Sequence, residues 1–104
     1  MKLENLTIGK YYKLLNYFPF PKNHIEIYFK FKKIEIVDEN YCYVYFDDLI
    51  FQDSSDNTFS KSEASSIFFY KKDTDKSYLF SITKRKYYSV IRKYIIYEIK
   101  GSIR

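Results

Sequence analysis

The chain has two glycines, Gly9 and Gly101, and so no glycine-rich loop of the kind that cradles a phosphate. It has one cysteine, Cys42, which excludes an intramolecular disulfide and a thiolate zinc cluster and suits a reducing compartment. The one histidine, His24, follows Lys22 and Asn23 without a second histidine or a cysteine beside it, and no serine sits in a nucleophile motif. Zinc ligation and a Ser/His/Asp triad therefore have no support. Nowhere do about eighteen uncharged apolar residues run together, and the opening MKLENLTIGK, with Glu4, lacks the apolar core of a secretory signal. A soluble protein of the host-cell cytoplasm is expected, with no membrane partner and no cofactor.

What is present is aromatic and charged. Tyrosine occurs 13 times and phenylalanine 10 times, and aromatics make up 22% of 104 residues. So much aromatic surface must be buried somewhere, which argues against disorder, and the length fits one domain with a single core, residues 1–104. Lys, Ile, Tyr and Phe together supply nearly half of the chain. All four can be encoded by codons of A and T alone, so coding bias competes with binding as the source of the lysine and tyrosine excess. In composition, though in no motif, the chain resembles the short proteins carried by phages and mobile elements of AT-rich bacteria.

Charge is segregated along the chain. Residues 1–37 carry a net +4, residues 38–63 a net −6 and residues 64–104 a net +7, for an overall +5. A uniform nucleic-acid-binding coat would not contain so acidic a middle. Both signs together suit docking on a partner of mixed charge, where they fix orientation.

The pattern of side chains predicts a small β-rich fold. A first strand is expected over residues 10–16, ended by Pro19 and Pro21, which lack the amide hydrogen a ladder needs. In HIEIYFKFKKIEIVDEN, Ile25, Ile27, Phe29 and Phe31 occupy one parity, and beyond Lys32 and Lys33 the apolar residues switch to Ile34 and Ile36. That is a strand with a bulge or bend inside it. After a turn at residues 38–40, YCYVYFDDLIF alternates Tyr41, Tyr43 and Tyr45 against Cys42, Val44 and Phe46, with Cys42 read as a small core residue. Residues 52–66 read as one long polar loop, and residues 66–72 and 77–82 as a hairpin turning at 73–76. Thr83 is the expected N-cap of a helix to about Tyr94, and residues 95–99, IIYEI, are β-branched enough for a last strand ended by Gly101. The expected fold is mainly β with one C-terminal amphipathic helix: a strongly bent antiparallel sheet or SH3-like barrel of about five or six strands.

Three constellations are candidates for function. On the helix, Tyr87, Val90, Ile91, Tyr94 and Ile95 share one face, opposite Arg85, Lys86, Ser89, Arg92 and Lys93. Lys84, Arg85, Lys86, Arg92 and Lys93 are suited to phosphates or acidic protein surfaces, although any amphipathic helix needs a polar face. Tyr28, Lys30 and Lys32 beside Tyr41, Tyr43 and Tyr45 would form a basic-aromatic platform for single-stranded nucleic acid, although tyrosine is also simply a good strand former. Asp47, Asp48, Asp53 and Asp56 read as an acidic docking patch without calcium-loop spacing. A Glu98-x-Lys100 pair, with Asp73 or Asp75, has the spacing of a metal-dependent nuclease strand, a pattern expected by chance among so many lysines. The sequence thus points to a non-catalytic protein that docks on a larger protein or protein–nucleic acid complex, such as an anti-CRISPR-like inhibitor of a host defence complex. A single-stranded nucleic-acid-binding module is the alternative, and a nuclease a remote third.

Overall fold

The computed structural model describes residues 5–15, 25–55, 57–70 and 78–103. Among these residues six strands precede one α-helix: β1 (Tyr11–Leu15), β2 (Ile25–Ile36), β3 (Tyr41–Asp53), β4 (Thr58–Lys61), β5 (Ser66–Tyr70), β6 (Tyr78–Ile82) and α1 (Lys84–Ile103). All pairings are antiparallel, in the order β4-β3-β2-β1-β6, with β5 pairing the other half of β3. The sheet is open, so of the two expected architectures the bent sheet is the one formed and the barrel is not.

Two bulges shape the long β2–β3 hairpin. Tyr28 pairs with Ile50 and Lys30 with Asp47, so β3 sets Asp48 and Leu49 against Phe29 alone. Asp48 takes φ 48°, the left-handed conformation that one class of bulge uses. Leu49 then turns toward Phe29, while its neighbour Ile50 turns to the opposite face, and both are buried. The second shift lies between Phe31 and Lys33, where Lys32 has no opposite residue. This is the parity switch visible in the sequence.

β1 lies between β2 and β6, so both of its edges are paired, and adjacent Tyr11 and Tyr12 are buried in the two clusters on opposite faces. Tyr12, Leu14, Ile27, Phe29, Phe31, Cys42, Val44, Phe46, Leu49 and Leu79 form one cluster. Leu6 packs against it, and the Thr7 amide donates to the Tyr12 hydroxyl at 2.7 Å. Tyr11, Tyr28 and Ile50 form the other cluster, with Tyr87 and Val90 of α1. Each large apolar side chain so buried contributes roughly 1.5–3 kcal/mol.

The helix begins as its cap residue requires. The Thr83 hydroxyl accepts from the Lys86 amide at 3.1 Å, and the Thr83 carbonyl from the Tyr87 amide at 3.1 Å. It does not stop at Tyr94. Residues 95–99 are its continuation, not a seventh strand, and Gly101 is helical. A strand would need a turn after Tyr94, and no Gly, Pro, Asn or Asp stands between Tyr88 and Glu98 to make one. Once α1 is nucleated, each further residue adds a hydrogen bond at little cost, and this outweighs the β-branched preference.

Two more expectations are corrected. The polar stretch 52–66 is not one loop: β3 runs on to Asp53 and turns back into β4, with Asn57 at φ 57° and Asp53 Oδ1 accepting from the Ser55 amide at 3.0 Å and the Ser55 hydroxyl at 2.6 Å. Strands β5 and β6 do not pair with each other; β5 pairs β3 and β6 pairs β1. β4 covers only Ile50–Asp53 of β3, leaving the edge at Tyr41–Tyr45 open, and SIFFY fills it. The turn expected at 73–76 lies outside the described residues.

Tyr87 joins helix to sheet through its hydroxyl, 2.7 Å from the Asp48 carbonyl and 3.2 Å from that of Asp47. Tyr87→Phe should lower stability by about 1–2 kcal/mol, since it strands part-buried carbonyls. A urea titration with an unchanged midpoint would show that the bond holds nothing. At the left-handed position, Asp48→Gly should leave the midpoint level or raised, whereas Asp48→Val should lower stability by about 1–3 kcal/mol.

Candidate interaction surfaces

Lys84, Arg85, Lys86, Arg92 and Lys93 are all exposed on α1. The first turn holds no acidic residue, so its cations oppose the helix dipole by about 0.3–1 kcal/mol each. Lys84 lies 5.8 Å above the Tyr88 ring. Among the described residues the ion pairs are Lys13–Glu26 at 3.9 Å and Lys61–Asp48 at 3.0 Å, and none involves the helix. Apart from Lys84, which lies about 100° from Arg85 on the side away from Lys86, the cations form two rows, not one stripe. Arg85 and Arg92, seven residues apart, differ by about 20° around the axis and point outermost, whereas Lys86, Lys93 and Lys100 form a second row about 100° away. Lys100 entered the sequence reading only through its spacing from Glu98.

That spacing loses its meaning here. Glu98 and Lys100 are helical, about 160° apart by rotation, so the shared strand face that a nuclease pair needs does not exist. Asp73, Asp75 and His24 lie outside the described residues. Among the described residues no three His, Cys, Asp or Glu side chains converge.

The expected basic-aromatic platform is not assembled as drawn. Tyr28 is buried beneath α1, its hydroxyl donating to Glu26 at 2.5 Å. Burial first, then that carboxylate, pushes its pKa well above the usual tyrosine value. Lys30 is half-buried with its ammonium 5.9 Å from the Tyr11 ring, and Lys32 stands exposed on the bulge. The bulge instead brings Lys33 opposite Tyr45 and Glu35 opposite Tyr43. Lys33 lies 4.6 Å from the Tyr45 ring, and the Tyr45 hydroxyl donates to Glu35 at 3.2 Å, which raises the Tyr45 pKa. Strand β5 adds Phe68, stacked on Tyr41 at 5.1 Å and against Tyr43 at 4.8 Å. Tyr41, Tyr43 and Phe68 are exposed, so an aromatic ridge exists, built on a different partner strand from the one expected.

Of the acidic patch, Asp47 and Asp48 are exposed at the bulge and line a groove of about 470 Å³ with Lys61, Ser62, Glu63, Ser65 and Tyr94. The hydrogen bond to Asp48 holds the Lys61 ammonium above its usual pKa. Asp53 is half-buried and committed to its turn, and Asp56 lies outside the described residues.

The far half of α1 carries a surface that sequence reasoning missed. Ile95, Ile96, Tyr97 and Ile99 are between 36% and 53% exposed, since the helix-side cluster takes Tyr87, Val90, Ile91 and Tyr94 from α1 and does not include them. The elongated outline, 47 × 26 × 22 Å, accords with a helix of this length on a small sheet. No helix among the described residues is long and apolar enough to cross a membrane. Ile96→Glu and Ile99→Glu should each change stability by less than about 0.5 kcal/mol in urea titration, as surface substitutions do. A loss well above that would mean the helix end is packed. Compared with known proteins, the chain matches no family model, no curated protein and no solved structure.

Proposed function

We propose that this is a non-catalytic docking protein that seats the basic face of α1 on an anionic surface of a larger protein or protein–nucleic acid complex. The observation that carries this reading is the exposure of Arg85, Lys86, Arg92 and Lys93 along one helix, with no described carboxylate paired to them. Arg85 and Arg92, as outermost forks, suit carboxylate or phosphate groups. The groove at Asp47, Asp48 and Glu63 supplies the opposite sign on the neighbouring hairpin, so a partner carrying both signs would be held in one orientation. The compositional likeness to proteins of mobile elements favours a host defence complex as the target and inhibition as the outcome. The platform version of the nucleic-acid reading is weakened by the burial of Tyr28.

The test is a pull-down from nuclease-treated host lysate with the full chain and with the Arg85→Ala, Lys86→Ala, Arg92→Ala variant. A partner retained by the native chain should be captured at least about tenfold less by the variant, and its capture should weaken as salt rises. Equal capture by both chains would defeat the assignment. Incubation with nucleic acid and magnesium or manganese should give no cleavage.

A further inference from the structure

A second groove, of about 380 Å³, lies between α1 and the β3–β4 hairpin, lined by Gln52, Asn57, Phe59, Lys93, Ile96, Tyr97 and Lys100. Its volume falls within the about 300–1,000 Å³ of small-ligand sites. Gln52 shares its parity with Ile50, so it faces the helix, and its partner across the ladder is Phe59, which packs with the helix-side cluster. Sheet thus supplies the floor and helix the wall. Asp53, of opposite parity, lines a different pocket with Ile25 and Phe51.

The chemistry of the lining is selective. Among the described residues two cations enter it and no carboxylate does, although Gln52 and Asn57 come from the most acidic segment of the chain. Lys93 and Lys100 stand two turns apart, about 10 Å along the axis, with Ile96 and Tyr97 between them. The Tyr97 ring rests against Phe59 at 5.9 Å and 50°, too close to admit a third ring between them. Tyr97 remains 36% exposed, so a planar ligand would lie on its open side with Phe59 as the brace. Gln52 and Asn57 each offer a donor and an acceptor to the edge of such a ligand.

We propose that this groove binds a nucleotide of a single-stranded nucleic acid, the base stacked on Tyr97 and its edge met by Gln52 and Asn57, with the flanking phosphates on Lys93 and Lys100. Stacking on an aromatic ring with cations along the strand is how single strands are held without a duplex groove. Two separated lysines favour a strand over a free nucleotide, which has phosphate on one side only. The site is distinct from the Arg85 and Arg92 row and does not rest on the docking reading, with which it shares only Lys93.

The experiment is an amide-resolved NMR titration of the full ¹⁵N-labelled chain with a six-residue oligothymidylate and, separately, with thymidine 5′-monophosphate. Saturable shifts at Gln52, Asn57, Phe59 and residues 93–100 are expected with the oligomer, and at least about tenfold weaker with the monophosphate. Equal affinity for both would overturn the strand assignment in favour of a free nucleotide. Lys93→Gln with Lys100→Gln should weaken oligomer binding and reduce the logarithmic salt slope by about 1.4. Tyr97→Ala should weaken binding by about tenfold or more with the slope unchanged. Absence of saturable shifts at millimolar oligomer, or shifts centred on Arg85 and Arg92 in place of the groove, would overturn the site.

Discussion

The bond from the Tyr87 hydroxyl to the Asp47–Asp48 bulge is the contact on which the arrangement of surfaces depends. A bulge interrupts the ladder and leaves main-chain carbonyls without strand partners, and a buried carbonyl left unmet costs about 1–3 kcal/mol. One hydroxyl has one proton, so Tyr87 serves mainly Asp48, at 2.7 Å, and only secondarily Asp47, at 3.2 Å. Burial, reinforced by the nearby Asp48 charge, raises its pKa, so the donor proton stays in place across the physiological range. The ring of the same residue lies tilted against that of Tyr11, their centroids 4.7 Å apart. Helix rotation is thereby tied to the bulge, and with it the direction of every cation that follows.

Much of the sheet was legible because its signals are local. Alternation marked β2 and β3, the parity change at Lys32 marked a real bulge, and Thr83 marked a real cap. What stayed hidden was set by distant partners. Nothing near Phe59 announces a strand in QDSSDNTFSKSEASS; the open edge of β3 recruits it. SIFFY answered the edge at Tyr41–Tyr45, and the turn-forming residues after it carried no information about pairing. The bulge at Asp48 carries a parity change of its own, from Cys42, Val44 and Phe46 to Leu49 and Phe51, but it is obscured because Leu49, Ile50 and Phe51 are all apolar.

Extending the helix changed the functional reading more than any other correction. Ended at Tyr94, α1 would show one polar face holding four cations, Arg85, Lys86, Arg92 and Lys93. Carried to Ile103, it resolves into an arginine row, a lysine row that reaches Lys100, and an apolar end left partly exposed. The seven-residue recurrence of Lys86, Lys93 and Lys100 is plain in the sequence, yet it has meaning only on a continuous helix. The same holds for Tyr97, a strand former by propensity that becomes the wall of a groove once residues 95–99 are helical.

Coding bias competes with binding to explain how many lysines and tyrosines the chain has, but bias acts codon by codon and has no access to three-dimensional neighbours. It would not decide that Tyr28 and Tyr87 meet in a core while Tyr97 stays open beside Lys93 and Lys100. Carboxylates are the sharper test, since among the described residues the acidic middle segment contributes Asp47, Asp48 and Glu63 to one groove and, of its polar groups, the amides of Gln52 and Asn57 to the other. Strand parity alone turns Asp53 away from the lysines and Gln52 toward them. A one-residue slip of β3 would reverse this and neutralise the groove. Separation of charge on this molecule is therefore a property of register, and register is held by the two bulges.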